Sequence, residues 1–167
     1  FHYIELCKVL RRNAIGLKAR GVGFSEIGSS IAVNTYSCRP NTRSVITAQQ
    51  GTYVEATLNK CWVQLNYLDD ETEGGFRKLR QAHNTQDWKR ASNINTDKVE
   101  SGWMSEIVGI AADKPNKIRG DRTDYLVYEE SGSWPNWKKA FIQGDALINI
   151  QGIRFGIKCA WGTGGDS

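Results

Sequence analysis

The stretch Asp124, Tyr125, Leu126, Val127, Tyr128, Glu129, Glu130 organises the reading of the whole chain. Its four middle residues are aromatic or aliphatic without polar alternation, the pattern of a strand buried on both faces. The run then stops abruptly in two adjacent carboxylates. A buried parallel strand that delivers paired acids at its carboxyl end can hold a divalent cation and activate a water.

An upstream segment, Lys18, Ala19, Arg20, Gly21, Val22, Gly23, Phe24, Ser25, supplies a matching phosphate cradle. The small apolar strand Asn13 to Leu17 runs into this loop, and Ser25 opens a helix. Gly21 and Gly23 allow close backbone approach. Exposed N–H groups at a helix start, a hydroxyl and one ammonium are what a polyphosphate requires. The standard phosphate loop is a glycine, four residues, then Gly-Lys-Ser/Thr. Here Gly23 and Ser25 fit, but Phe24 fills the lysine slot and Lys18 the first glycine slot. Lys18 enters from the strand side on a long, flexible stem that can bring its ammonium to the same phosphates. Loop and acids together point to a nucleotide-driven enzyme.

The 167 residues amount to one domain, with 40% apolar and 24% charged side chains, enough for a real core. Net charge is +4, from 22 basic and 18 acidic residues, far short of a nucleic-acid-binding tail. Cys7, Cys38, Cys61 and Cys159 are widely spaced, which argues against zinc and against a disulfide framework. His2 and His83 sit in no ligand-like cluster. No apolar run of about 18 residues is present, nor a signal-peptide core, so the chain reads as soluble and intracellular. It opens at Phe1 without an initiator methionine and stops at Ser167 after a strand-like run, and reads as a fragment of a longer polypeptide.

Elsewhere the pattern alternates. Residues 1–12 read as a short helix, and 25–36 as a helix whose face carries Ile27, Ile31 and Ala32, ended by Pro40. Ser44–Ala48 is a strand. Val54, Leu58, Cys61, Leu65 and Leu68 then mark an amphipathic helix. Residues 69–100 are polar and charge-mixed, an excursion from the core. Ser105–Ala112 is a third strand, and Lys114 and Pro115 turn the chain. A helix follows the acids, with Trp137, Ala140, Phe141 and Leu147, and Ile153–Ala160 is the last strand. The expected class is α/β, a mostly parallel central sheet flanked by helices on both faces. Ligands collect at the carboxyl ends of strands in such sheets. The loop after Leu17, the acids after Tyr128, and Gly162 with Thr163 all share that location.

Taken together, residues 18–25 resemble the deviant Walker A of large terminase subunits, the DNA-packaging motors of tailed bacteriophages. In some of those the lysine stands at the start of the loop. Tyr125 to Glu130 resembles their Walker B strand and catalytic glutamate. Arg119 and Gly120 upstream add to the match, as does 161–165, which looks like their coupling motif. The first Walker B acid, usually Asp, is here Glu129. The resemblance implies a P-loop (ASCE-type) NTPase domain with ATP and Mg²⁺ as cofactors. Lys18 would neutralise phosphate charge beside Gly21, Gly23 and Phe24. Ser25 and Glu129 would hold the metal, and Glu130 would activate water. Arg20 would act on the phosphates in cis, and Thr163 would sense the terminal phosphate. Arg119 or Arg122 would be the finger reaching a neighbouring subunit. It also implies double-stranded DNA, a portal protein and a small terminase subunit as partners. A homo-oligomeric ring in the cytoplasm of an infected bacterial host is implied as well. The family's upstream adenine-contacting segment and downstream nuclease domain fall outside this chain.

Two other functions share these residues. One is a helicase-like ATPase acting on nucleic acid. The other is a degenerate module that binds nucleotide without turnover, motivated by Phe24. Phe76, Arg77, Lys78, Leu79, Arg80 and Trp88, Lys89, Arg90 mix aromatics with cations as strand-binding surfaces do. Asp69, Asp70, Glu71 and Glu73 beside them favour a solvated insertion.

Overall fold

Five parallel strands form the spine of the molecule. The computed structural model describes residues 2–75, 82–84, 88–112 and 122–163. Arg119, Gly120, Lys114, Pro115, 76–80, Gly164 and Gly165 lie outside those residues. In chain order the helices are α1 (His2–Val9), α2 (Phe24–Cys38), α3 (Gly51–Glu71), α4 (Trp137–Gln143) and α5 (Asp145–Ile148). The strands are β1 (Ala14–Leu17), β2 (Arg43–Ala48), β3 (Ala82–Asn84), β4 (Trp88–Ile94), β5 (Glu100–Ala111), β6 (Tyr125–Tyr128), β7 (Asn149–Ile150), β8 (Ile153–Arg154) and β9 (Ile157–Gly162).

One seven-stranded sheet runs β1-β9-β6-β2-β5-β4-β3, and β7 pairs only with β8. All pairs from β1 to β5 are parallel, and β4 and β3 are added antiparallel. The strand before the glycine loop and the strand bearing the acids are therefore not neighbours. β9 lies between them, with Cys159 opposite both Ala14 and Val127.

The central strands are largely apolar because both faces are covered. Tyr125, Val127, Cys159 and Trp161 point to one face. Glu5 of α1 accepts from the Tyr125 hydroxyl there, and Gly28 of α2 abuts Val127 and Trp161. The side chains of Leu58 and Val54 cover Gly109 on that face and bring α3 onto the sheet. Tyr128 and Lys158 point to the other face, against α4 and α5. Ile46, Leu126 and Val127 are fully buried. Each such side chain contributes about 1.5–3 kcal/mol on leaving water. Helix α2 ends where Arg39, preceding Pro40, turns to extended φ and ψ of −136° and 128°.

Three segments differ from the sequence reading. Within 69–100, set outside the core by its polarity, α3 continues to Glu71 and β4 pairs along β5 with Ala91 and Ser92 buried. Arg90 reaches Glu100 at 3.2 Å and Glu106 at 3.3 Å, so charge pairing rather than apolar alternation marks this strand. The single helix expected near 137–147 is two, divided at Gly144, where a Cβ would stand 2.1 Å from the Tyr128 hydroxyl. The last strand is divided too. Phe155 and Gly156 both donate to the Ile148 carbonyl, leaving β8 in a hairpin and β9 in the sheet.

Candidate functional site

Because β1, β9, β6 and β2 are parallel, their carboxyl ends line one edge of the sheet in that order. Each is followed by a segment that contributes to the site. After β1 comes the loop, in which Gly21 and Gly23 take φ of 77° and 80°. No atom lies within 4 Å of a Cβ built on either, so the left-handed backbone, not crowding, is what asks for glycine. Gly23 caps α2 without a side-chain hydrogen bond, and the first intrahelical bond here runs from the Ile27 N–H to the Gly23 carbonyl. The N–H groups of Phe24, Ser25 and Glu26 thus face the loop without a helical acceptor, a ready anion site. Phe24 turns its ring onto Trp161, 5.6 Å between centroids, so it brings a backbone N–H to the loop rather than a charge.

The ammonium comes from Lys18. Its Nζ lies 2.7 Å from Glu130 Oε1, with only 8% of the Lys18 side chain exposed. Glu130 itself has φ 48° and ψ 41°, a left-handed conformation that costs a non-glycine residue about 1–2 kcal/mol. That turn swings the Glu130 carboxylate out of the sheet into the cleft. The turn is held on both sides. The Trp134 indole N–H donates to the Glu129 carbonyl at 3.0 Å, and the Glu129 N–H donates to the Thr47 carbonyl at 2.8 Å.

Glu129 stays in the sheet's own alternation and points toward α2. The Ser25 hydroxyl donates to its Oε2 at 3.0 Å. Glu129 is 1% exposed, and its Oε1 is buried without a hydrogen-bond partner. Burial pushes this carboxyl above the ordinary range, opposed by Trp161, Ser25 and Lys18 and reinforced by the Glu130 charge. The Trp161 indole N–H beside it is likewise buried without a fully formed hydrogen bond. An orphaned carboxylate oxygen next to a hydroxyl is a donor set that fits a small divalent cation whose other ligands are water and phosphate oxygens.

A cleft of about 360 Å³ joins these pieces, lined by Lys18, Arg20, Gly21, Tyr53, Glu130, Ser133 and Thr163. Thr163 follows β9, and the turn carrying Glu130 rests on it. A Cβ on Gly132 would stand 2.1 Å from the Thr163 carbonyl oxygen. Lys18, Arg20, Gly21, Glu130 and Thr163 therefore converge on one space, with Ser25 and Glu129 linked to it through the β6 turn. Arg122 does not join them. It precedes β6, at the end of the sheet away from the cleft, with its guanidinium 5.2 Å from the Phe155 ring. Tyr53, Ser133 and Trp134 were not found by sequence reasoning. Tyr53 opens the helix after β2, so the strand-end rule that singled out the other segments also covers it.

No protein-family profile matches this chain, and no curated protein matches it by sequence. Solved structures do. The large terminase ATPase domain of Thermus phage P74-26 superposes with a TM-score of 0.64 at 20% identity, over 93% of this chain and 60% of that one. This is the fold of a phage large terminase ATPase domain. The large terminase of bacteriophage HK97 matches at TM-score 0.58 and 17% identity, over 92% of this chain and 30% of that one. The large terminase of a thermophilic bacteriophage, solved in complex with ADP, matches at 0.54 and 11%, over 90% and 33%. The chain thus spans 60% of the P74-26 domain's length and about a third of the two longer terminases. The mostly parallel α/β sheet, with β9 between the loop strand and the acid strand, bears out the expected α/β class, and its fold is that of these terminase domains. Among the described residues, no helix is long and apolar enough to cross a membrane.

Proposed function

We propose that this chain is the ATP-hydrolysing portion of a viral DNA-packaging terminase large subunit. The observation that carries the reading is the convergence of the Lys18 ammonium, the α2 N-terminus and the carboxylates of Glu129 and Glu130 at adjoining strand ends. The ammonium absent from the slot of Phe24 is supplied by Lys18, which answers the main objection to turnover.

In this reading a triphosphate lies along the loop, accepting from the α2 N–H groups and from Lys18. Ser25 and Glu129 would hold Mg²⁺, which when bound supplies positive charge against the phosphate oxygens. Lys18 must leave Glu130 to reach the phosphates, and that frees the carboxylate to take a proton from the attacking water. Arg20 neutralises charge on the phosphates from within the same chain. Thr163, in backbone contact with the Glu130 turn, senses the terminal phosphate and passes its loss on to β9. By the same reading the motor works as a homo-oligomeric ring in the cytoplasm of an infected bacterium. It moves double-stranded DNA through a portal protein, with a small terminase subunit as partner. The position of Arg122 away from its own cleft is compatible with reaching a neighbouring subunit, the role it shares as a candidate with Arg119.

The test is Mg²⁺-dependent ATP hydrolysis by the full-length protein and its Glu130→Gln variant. Nucleotide binding is expected to persist while turnover falls by at least about 100-fold. A variant with the wild-type rate removes Glu130 from the mechanism, and a wild-type protein without hydrolysis removes the ATPase reading altogether.

A further inference from the structure

We infer that Tyr53 is a catalytic residue of this site, contacting the attacking water on the side of the terminal phosphate remote from the loop. The inference rests on the ATPase reading. Its basis is the order of the strands. Along the site edge the sheet runs β1, β9, β6, β2, so the segments meet the cleft as Lys18 and Arg20, then Thr163, then Glu130, then Tyr53. Phosphates gripped by the loop and the α2 N-terminus extend from the β1 end toward β6. A displacement at phosphorus is in line, so the nucleophile approaches opposite the leaving oxygen. That approach comes from the β6–β2 end, where Glu130, Ser133 and Tyr53 stand; the Ser133 hydroxyl already donates to the Glu130 carbonyl at 2.8 Å, which leaves Glu130 and Tyr53.

The chemistry of a phenol suits the place. Its hydroxyl both accepts and donates, so it can accept one hydrogen of the water while donating to a phosphoryl oxygen. Tyr53 is 43% exposed, and its hydroxyl makes no hydrogen bond among the described residues, so nothing in the fold claims it. Its backbone is fixed, because the Tyr53 N–H donates to the Gln50 carbonyl at the start of α3. In the step itself the water oxygen bonds to the terminal phosphorus, and the bridging P–O bond breaks with its electron pair going to ADP. The water proton passes to Glu130. Tyr53 keeps its own proton and only orients.

Steady-state and single-turnover hydrolysis of ATP by the full-length protein, its Tyr53→Phe variant and the Glu130→Gln, Tyr53→Phe double variant test this. Tyr53→Phe is expected to lower kcat and the single-turnover rate about 10- to 100-fold, with KM for ATP and the melting temperature unchanged. In the Glu130→Gln background it is expected to add nothing, because both groups act on one water. A wild-type kcat in Tyr53→Phe, or a loss confined to KM, overturns the inference and leaves the ATPase reading standing. A wild-type protein that does not hydrolyse ATP overturns both.

Discussion

Replacing Glu129 by Gln is expected to stabilise the nucleotide-free protein at neutral pH and to abolish its stabilisation by Mg²⁺ with ATP. Glu129 is 1% exposed; one oxygen accepts from Ser25, and the other faces the Trp161 indole N–H without a fully formed hydrogen bond. A buried, unsatisfied polar atom costs about 1–3 kcal/mol, more when charged. Glutamine keeps one acceptor for Ser25 and removes the charge, whose desolvation outweighs the contact its amide loses at the Trp161 indole N–H, while the Lys18–Glu130 pair is untouched. In a domain of this size each kcal/mol recovered raises Tm by about 2–4 °C. The pH dependence fixes the cause. The folded Glu129 carboxyl is raised above the ordinary 4.5, so between 4.5 and its folded value the native state binds the extra proton. Stability of the wild type therefore falls as pH rises through that window. The gap between Glu129→Gln and wild type should vanish below pH 4.5 and be full above the folded value. Thermal melts across pH read this directly. A hundredfold excess of ligand over Kd stabilises a competent site by about 2.7 kcal/mol, and the variant is expected to lose that response to Mg²⁺ with ATP. A variant less stable than wild type at neutral pH, or a pH-independent gap, would refute the reasoning.

Gly132→Ala places a Cβ 2.1 Å from the Thr163 carbonyl oxygen, a backbone atom that cannot rotate away. About 1–3 kcal/mol of destabilisation in denaturant melts is expected, together with a loss of ATP turnover, since the Glu130 turn must shift off β9. Buried Lys158 donates to Asp145 and to the Phe141 carbonyl, each at 2.7 Å, and burial lowers its pKa. Asp145→Asn, which takes away the counter-charge of the buried ammonium, is expected to destabilise more than Lys158→Met, which removes the charge and leaves half-exposed Asp145 to water. The reverse order in urea melts would show that the ammonium is solvated by other means.

The candidate site was legible wherever its chemistry is carried by residues close in sequence. Two glycines before a hydroxyl, and two acids after an apolar run, each announce a backbone conformation or a charge that a strand end must expose. The place of Lys18 in the cleft was legible as well, because it follows directly on the strand that ends there. Tyr53 and Trp134 were not, since a tyrosine opening a helix and a tryptophan after a turn look the same whether they serve packing or a cleft. Strand β4 escaped because the ion pairs of Arg90 with Glu100 and Glu106 of β5, not alternation, mark it.

Composition and periodicity by themselves determined the α/β class, the helices α2 and α3, and which segments sit at strand ends, because burial and backbone conformation are local demands on residue type. Only the tertiary structure decided which segments share a cleft, for that follows from the strand order, and sheet pairing joins residues more than a hundred positions apart. Lys18 meets Glu130 across 112 positions because β9 inserts between β1 and β6 and sets their spacing. The orphaned oxygen of Glu129 is of the same kind: its burial is made by α2, Trp161 and the neighbouring strands together, and none of them alone encodes it.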